Sequence, residues 1–203
     1  MLKNHYKGKF IVFEGLDGSG TTTQAELLYN HLRSIGKKAY LAFEPTHSLI
    51  GGLIKSQIKG EWQSSPSCLQ LLFAADRAYH LEKEIIPFLK KGVNIVCTRY
   101  VLSSLAYGNL GIKDGRWLMS INEKFIIPDV TFFLKVASKV CIDRIKKERF
   151  HQELFEREEK LDEVLKNYLK FVKKIKNAYI INGEPSIKEV FQDIQEKYNK
   201  KFK

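Results

Sequence analysis

The chain has 203 residues, of which 44% are hydrophobic and 28% are charged, and its formal net charge is +11. This composition is typical of a globular protein, and the length predicts a single domain over residues 1–203. No apolar run approaches the roughly 20 residues that a membrane-spanning helix needs, which argues against a membrane protein.

The basic charge favours anionic ligands, either nucleotides or nucleic acid. Much of the excess lies in helical stretches and in the lysine-rich end of the chain, where solvated faces are the favoured interpretation. No aromatic RNA-binding signature or zinc-ligand spacing accompanies the charge, so we do not expect a nucleic-acid partner. The first nine residues are polar and basic, so no secretory signal is visible there. Cys68, Cys97 and Cys141 are widely spaced and form no C-x-x-C pair. Both observations predict a cytoplasmic protein, in which the three thiols are reduced.

Five short apolar runs punctuate the chain, and longer segments with helical periodicity separate them. In chain order these predicted strands are Phe10–Phe13, Ala39–Phe43, Val93–Cys97, Val130–Val136 and Ala178–Ile181. Alternating strands and helices predict an α/β three-layer sandwich, in which helices cover both faces of a five-stranded parallel sheet. Ligands of such folds bind at the carboxyl ends of the strands.

A glycine-rich turn follows the first predicted strand at residues 15–22 and matches G-x-x-x-x-G-K-[ST] except at Thr21, which stands in the lysine position. Strand, glycine turn and helix together indicate a phosphate-binding loop of the P-loop type rather than a turn without phosphate. Thr22 supplies the hydroxyl that would reach Mg²⁺. The candidate ATP-binding residues are Gly15, Leu16, Asp17, Gly18, Ser19, Gly20, Thr21 and Thr22.

Phe73 and Arg77 are four residues apart in a helical segment, so they share one helix face. A ring beside a guanidinium could stack on a flat base and bond its edge. A core-facing phenylalanine beside a surface arginine is an equally open interpretation. The segments that follow the second and third strands, Glu44–Thr46 and Thr98–Tyr107, are further candidates for the ligand site.

A polar segment at about residues 144–157 is rich in both charge signs and carries Arg144 and Arg149. Phosphoryl transfer needs cations around the transferred group, and a short lid bearing arginines could supply them. A solvated helix with ion pairs is the alternative. The missing loop lysine favours the lid.

The chain resembles the thymidylate kinases, which are P-loop nucleoside-monophosphate kinases. The resemblance runs from Phe10 to about Phe191 and depends on several motifs in order. These motifs are Glu14–Gly20, Glu44–Thr46, Leu72–Arg77 with His80, Arg99–Tyr107, Pro128–Thr131 and Arg144 through Phe155-Glu156.

The resemblance implies transfer of the γ-phosphoryl group of ATP to dTMP with Mg²⁺, giving dTDP, by a homodimer. It implies that Phe73 stacks on thymine, Arg77 bonds the base edge and Arg99 contacts the monophosphate. The other acceptor-pocket residues that it implies are Glu44, Pro45, Ser104 and Tyr107. The candidate catalytic residues are Asp17, Arg99, Arg144 and Arg149.

Three positions depart from the pattern of the family. Thr21 replaces the loop lysine, Thr98 replaces an aspartate that helps to hold Mg²⁺, and Gly108 replaces a common glutamine. Losing a cation and a carboxylate from one site changes its net field less than either loss alone. The departures leave two alternatives open, namely a kinase for another nucleoside monophosphate and a nucleotide-binding homologue with little turnover.

Overall fold

The structure, a computed structural model, describes residues 1–148 and 158–203. Its centre is a five-stranded parallel sheet with the strand order β3-β4-β2-β6-β7. These strands are β2 (Phe10–Gly15), β3 (Ala39–Phe43), β4 (Asn94–Thr98), β6 (Val130–Lys135) and β7 (Ala178–Asn182). All five predicted strands are therefore confirmed, with ends that differ by at most two residues. A separate parallel pair joins β1 (Leu2–Lys3) to β5 (Ile126–Ile127).

Helices cover both faces of the sheet, as the sequence predicts. In chain order they are α1 (Thr21–Ser34), α2 (Leu49–Ile58), α3 (Pro66–His80), α4 (Ile86–Lys90), α5 (Val101–Ile112), α6 (Gly115–Ser120), α7 (Ser138–Glu148), α8 (Glu158–Val172) and α9 (Ile187–Lys201). A π-helical turn, Leu81–Ile85, joins α3 to α4. None of the helices in the described ranges is long and apolar enough to cross a membrane.

The central strand β2 is buried along its whole length because both of its faces are covered. Successive side chains point to opposite faces. Ile11 and Phe13 pack into the core beneath α1 and α9, whereas Phe10 and Val12 pack into the core beneath α5 and α8. The short apolar run of β2 thus contributes side chains to two cores.

The predicted lid at about 144–157 begins within α7, and residues 149–157 lie outside the described residues. Arg149 lies there too, so its predicted role stays a prediction. Arg144 belongs to the last turns of α7 and is described below.

Candidate active site

The phosphate-binding loop joins the end of β2 to the start of α1. Gly18 has a φ of 76°, in the left-handed region that favours glycine, and an added Cβ would lie 2.6 Å from the carbonyl oxygen of Cys141 on α7. Gly20 caps α1 without a side-chain acceptor. The first N–H groups of α1 therefore have no capping side chain, and together with the helix dipole they suit an anion.

The two threonines that open α1 differ in exposure. Thr21, in the place of the lysine, is 7% exposed, whereas Thr22 is exposed. Ser19, in the loop before them, has a buried hydroxyl with no hydrogen-bond partner in the described part of the chain. The loop thus offers backbone N–H groups and hydroxyls to a phosphate chain, without the usual ammonium group.

Arg99 lies directly after β4 and is the centre of a charged cluster. Its Nη2 lies 2.5 Å from Oδ1 of Asp17, and its Nη1 donates to the carbonyl oxygen of Gly15 and, at 2.9 Å, to the hydroxyl of Tyr168. Its φ of 66° is rare for a residue with a Cβ and costs on the order of 1–3 kcal/mol. Such a strained backbone at a functional position indicates that the direction of this side chain matters.

Tyr107, on α5, completes this cluster. Its hydroxyl donates to Oδ2 of Asp17 at 2.9 Å and accepts from the backbone N–H of Asp17 at 3.1 Å. The Arg99 guanidinium lies 5.3 Å from the centre of the Tyr107 ring. Burial raises the pKa of Tyr107 well above its usual value, so the phenol stays neutral. The structure therefore brings Asp17 together with Arg99 and Tyr107, which lie 82 and 90 positions further along the chain.

Glu14, one residue before the phosphate loop, lies beneath the cluster and is fully buried. Its carboxylate accepts from the backbone N–H groups of Tyr100 and Ser103, from the Ser103 hydroxyl, and from the Tyr168 hydroxyl at 3.2 Å. Burial raises the pKa of this carboxyl, and the hydrogen bond from Ser103 opposes that effect. Sequence reasoning did not select Glu14 or Tyr168 as site residues.

A cavity of about 350 Å³ opens beside Arg99. Every residue predicted to bind the acceptor lines it, and so does Asp17. These residues are Asp17, Glu44, Pro45, Phe73, Arg77, Arg99, Ser104 and Tyr107. Their individual roles stay predictions, but the structure places them around one space.

Six further residues line the cavity. Tyr100 and Ser103 lie within the predicted candidate segment Thr98–Tyr107, whereas Lys55, Ile58, Lys59 and Gln70 were missed at the sequence level. The spacing of Lys55 and Lys59 could have indicated a basic helix face, because residues four apart lie on the same side of a helix. No sequence pattern showed that this face of α2 turns towards the cavity.

Arg77 is 1% exposed, so the interpretation of a surface arginine beside a core phenylalanine is wrong. Its Nε donates to Oε2 of Glu44 at 2.8 Å, its Nη2 donates to the Ser104 hydroxyl at 3.2 Å, and its Nη1 donates to Oδ1 of Asn122. Glu44 also lies 3.2 Å from Nδ1 of His80. The three bonds of Arg77 fix its guanidinium from three sides in the wall of the cavity. The peptide bond between Glu44 and Pro45, in the same wall, is cis.

Arg144 lies outside the group that lines this cavity. Its Nη2 donates to the backbone carbonyls of Gly183 and Glu184, at 3.1 and 3.5 Å, in the turn after β7. The helix that carries it, α7, contacts the phosphate loop at Gly18. The guanidinium is thus near the loop but held by backbone oxygens.

Thr98, the position of the expected aspartate, is 4% exposed at the end of β4. Within the described ranges, no group of three or more histidine, cysteine, aspartate or glutamate side chains could hold a metal ion. The threonines at positions 22 and 98 offer hydroxyl groups to such an ion, not carboxylates.

Comparison with known proteins agrees with this geometry. The family described as thymidylate kinase matches residues 13–194. A probable thymidylate kinase of Pyrococcus abyssi is 39% identical over 193 residues, which cover 93% of this chain and 94% of that protein. A thymidylate kinase of Thermosipho africanus is 34% identical over 191 residues, covering 92% and 95%. The solved structure of thymidylate kinase from Candida albicans superposes with a TM-score of 0.82 at 25% identity, covering 98% of this chain and 96% of that one. The chain therefore belongs to the thymidylate kinase family.

Proposed function

We propose that the protein transfers the γ-phosphoryl group of ATP to dTMP, giving dTDP and ADP. The observation that carries the proposal is the position of Arg99, which bonds the phosphate loop at Gly15 and also lines the cavity. A fixed guanidinium between two phosphate-binding places is what an in-line transfer between two anionic nucleotides requires. The homologues named thymidylate kinase support dTMP as the acceptor.

The cavity suits a nucleoside monophosphate. Phe73 offers a half-buried ring to a base, and the fixed guanidinium of Arg77 offers donors to a carbonyl at the base edge. Tyr107, tied to Asp17, forms the wall where the sugar would lie. Lys55 and Lys59 add positive charge at the cavity for a dianionic phosphate.

The donor site would consist of the phosphate loop and the first turn of α1. We propose that Mg²⁺ enters with ATP, since the exposed hydroxyl of Thr22 is the available ligand and Mg²⁺ commonly takes most of its ligands from phosphates and water. When bound, the ion neutralises charge on the transferred phosphoryl group. The hydroxyl-rich donor set fits an ion that arrives with its nucleotide better than a resident one.

The missing lysine needs a substitute. We propose that Arg144 or Arg149 supplies part of the positive charge at the γ-phosphoryl group. Among the described residues, Arg144 is held near the loop by bonds to two backbone carbonyls. These bonds are exchangeable for bonds to phosphate, in which the acceptor is charged as well as the donor.

The homodimer is also a proposal, supported by an exposed apolar face on α2 and α3, which pack against each other. On α2, Leu49 and Leu53 are 85% and 44% exposed, and on α3, Leu71 and Tyr79 are 50% and 44% exposed. Residues at these spacings share one side of their helices. A second copy would cover apolar surface that is otherwise in contact with water.

A coupled assay of ADP release tests the activity, with ATP and Mg²⁺ against dTMP, dUMP, dCMP and UMP. We expect the highest kcat/KM with dTMP. The variant Arg99→Gln should lose most of this activity, while Arg116→Gln, which changes an exposed arginine on α6, should keep it. A preference for another monophosphate, or turnover at background with all four, would refute the proposal.

A further inference from the structure

Gln70 is a buried polar residue that nothing in the proposed mechanism uses. It precedes Phe73 by three residues and Arg77 by seven on α3, so all three share the helix face that lines the cavity. The residue is 3% exposed, and its Oε1 has no hydrogen-bond partner within residues 1–148 and 158–203. Buried polar atoms in native proteins are nearly always paired, so this oxygen calls for a partner beyond the described residues, and a ligand in the cavity is the one we consider.

Gly108 creates the room that this amide occupies. A Cβ added there would lie 2.9 Å from Cδ and 3.0 Å from Oε1 of Gln70, and 2.8 Å from a methyl carbon of Leu118. Any larger residue at position 108 would therefore push the glutamine amide out of its place. The glycine on α5 and the glutamine on α3 form one arrangement in the wall of the cavity.

We infer that Gln70 is a specificity-determining residue, whose side-chain amide recognises the pyrimidine edge of the acceptor base. The inference deepens the proposed function and rests on it. A thymine edge presents the N3–H donor between two carbonyl acceptors. A primary amide presents one acceptor beside two donors, which is the complementary pattern.

Within the described ranges no group bonds Oε1 of Gln70, so the side-chain amide can take either orientation. Rotation about the last side-chain bond exchanges oxygen and nitrogen. In the complex, Oε1 accepts from N3–H while the amide nitrogen donates to a neighbouring base carbonyl. Arg77 cannot accept from N3–H, because a guanidinium has donors only. Three of its five N–H groups donate to protein groups, which leaves the other two for a base carbonyl.

The test compares Gln70→Met with Gln57→Met in the full-length protein. Methionine keeps the length of the side chain and removes its hydrogen-bonding groups. Gln57, on α2, is also buried, bonds Ser64 at 2.8 Å and does not line the cavity, so it is the matched control. We expect Gln70→Met to raise both KM and Kd for dTMP about tenfold, because the base then lacks a hydrogen-bonding partner in a buried site. Gln57→Met should change neither KM nor Kd.

A dTMP analogue methylated at N3 gives a readout that a merely structural role would not move. The wild-type protein should bind this analogue at least about tenfold more weakly than dTMP, and Gln70→Met should reduce that ratio. Equal wild-type binding of the two nucleotides would overturn the inference without any variant. An unchanged KM for dTMP in Gln70→Met would overturn it too. Either result leaves the proposed function standing if the wild-type enzyme phosphorylates dTMP, whereas wild-type inactivity with dTMP refutes the proposed function itself.

Discussion

Replacing Tyr168 with phenylalanine removes one hydroxyl from beneath the candidate active site. That hydroxyl contacts Nη1 of Arg99 at 2.9 Å, the Ser103 hydroxyl at 2.8 Å and Oε2 of Glu14 at 3.2 Å. The ring itself stacks on Phe133 with centroids 5.0 Å apart, and phenylalanine preserves that packing. The substitution therefore isolates the polar contacts.

The expected loss follows from what the hydroxyl leaves behind. Glu14 stays buried with one donor fewer, and an under-satisfied buried group costs about 1–3 kcal/mol. For a protein of this size, that cost corresponds to a fall in Tm of roughly 2–12 °C. Arg99 keeps its bonds to Asp17 and Gly15 but loses one of the groups that aim it. Because hydrogen bonds to charged groups are worth about 1.5–3 kcal/mol, we expect KM for dTMP to rise about tenfold.

Thermal unfolding and steady-state kinetics with dTMP measure the two effects separately. The control is Tyr198→Phe, which removes a buried tyrosine hydroxyl from α9, on the opposite face of the sheet. That hydroxyl accepts a 3.4 Å bond from Lys37 and has no contact with the site. If Tyr168→Phe matches Tyr198→Phe in both Tm and KM, the hydroxyl does not position Arg99.

Three further predictions concern charge, pH and assembly. Of Arg144→Ala and Arg149→Ala, at least one should lower kcat by about 10²-fold or more while the control Lys146→Ala does not, and normal turnover in both arginine variants would rule out a substitute for the loop lysine. Burial raises the pKa of Glu14 above 4.5, so the stability that its neutral form contributes is fully present below pH 4.5 and is lost as the pH rises through the raised pKa. Glu14→Gln removes that titration, and the Tm difference, variant minus wild type, should become more positive from pH 4.5 towards neutrality; a constant difference contradicts this reasoning. Leu71→Asp places a charge on the exposed apolar face of α3 and should give a monomer in sedimentation velocity experiments, whereas an unchanged sedimentation coefficient would argue against an interface there.

The sheet and the phosphate loop could be predicted because their signals are local. β2 is a continuous apolar run since both of its faces are buried, and the glycines that follow it mark a turn that few other residues could make. The presence of Phe73 and Arg77 on one helix face could also be predicted, because helical spacing alone places residues four apart on the same side.

The remaining site residues depend on packing between distant elements. Tyr168 is 69 positions from Arg99 and meets it only because α8 packs on α5 over the sheet. Glu14 stands in a recognisable motif, but nothing in the sequence shows that its carboxylate turns inward towards Ser103. Gln70 shares the face of Phe73 and was overlooked because a lone glutamine in a helix is usually solvated.

The adjacency of β2 and β4 has a consequence for how reaction distance is controlled. The phosphate loop leaves β2, Arg99 leaves β4, and the backbone N–H of Arg99 still donates to the carbonyl oxygen of Phe13 at 2.8 Å. In the proposed transfer, the groups that hold the two phosphates would therefore lie on adjacent strands, whose spacing of about 4.8 Å is fixed by backbone hydrogen bonds. Movement of the helices that form the pocket walls would therefore leave the distance between the two phosphate-binding groups unchanged. Substitutions in those walls would leave it unchanged as well.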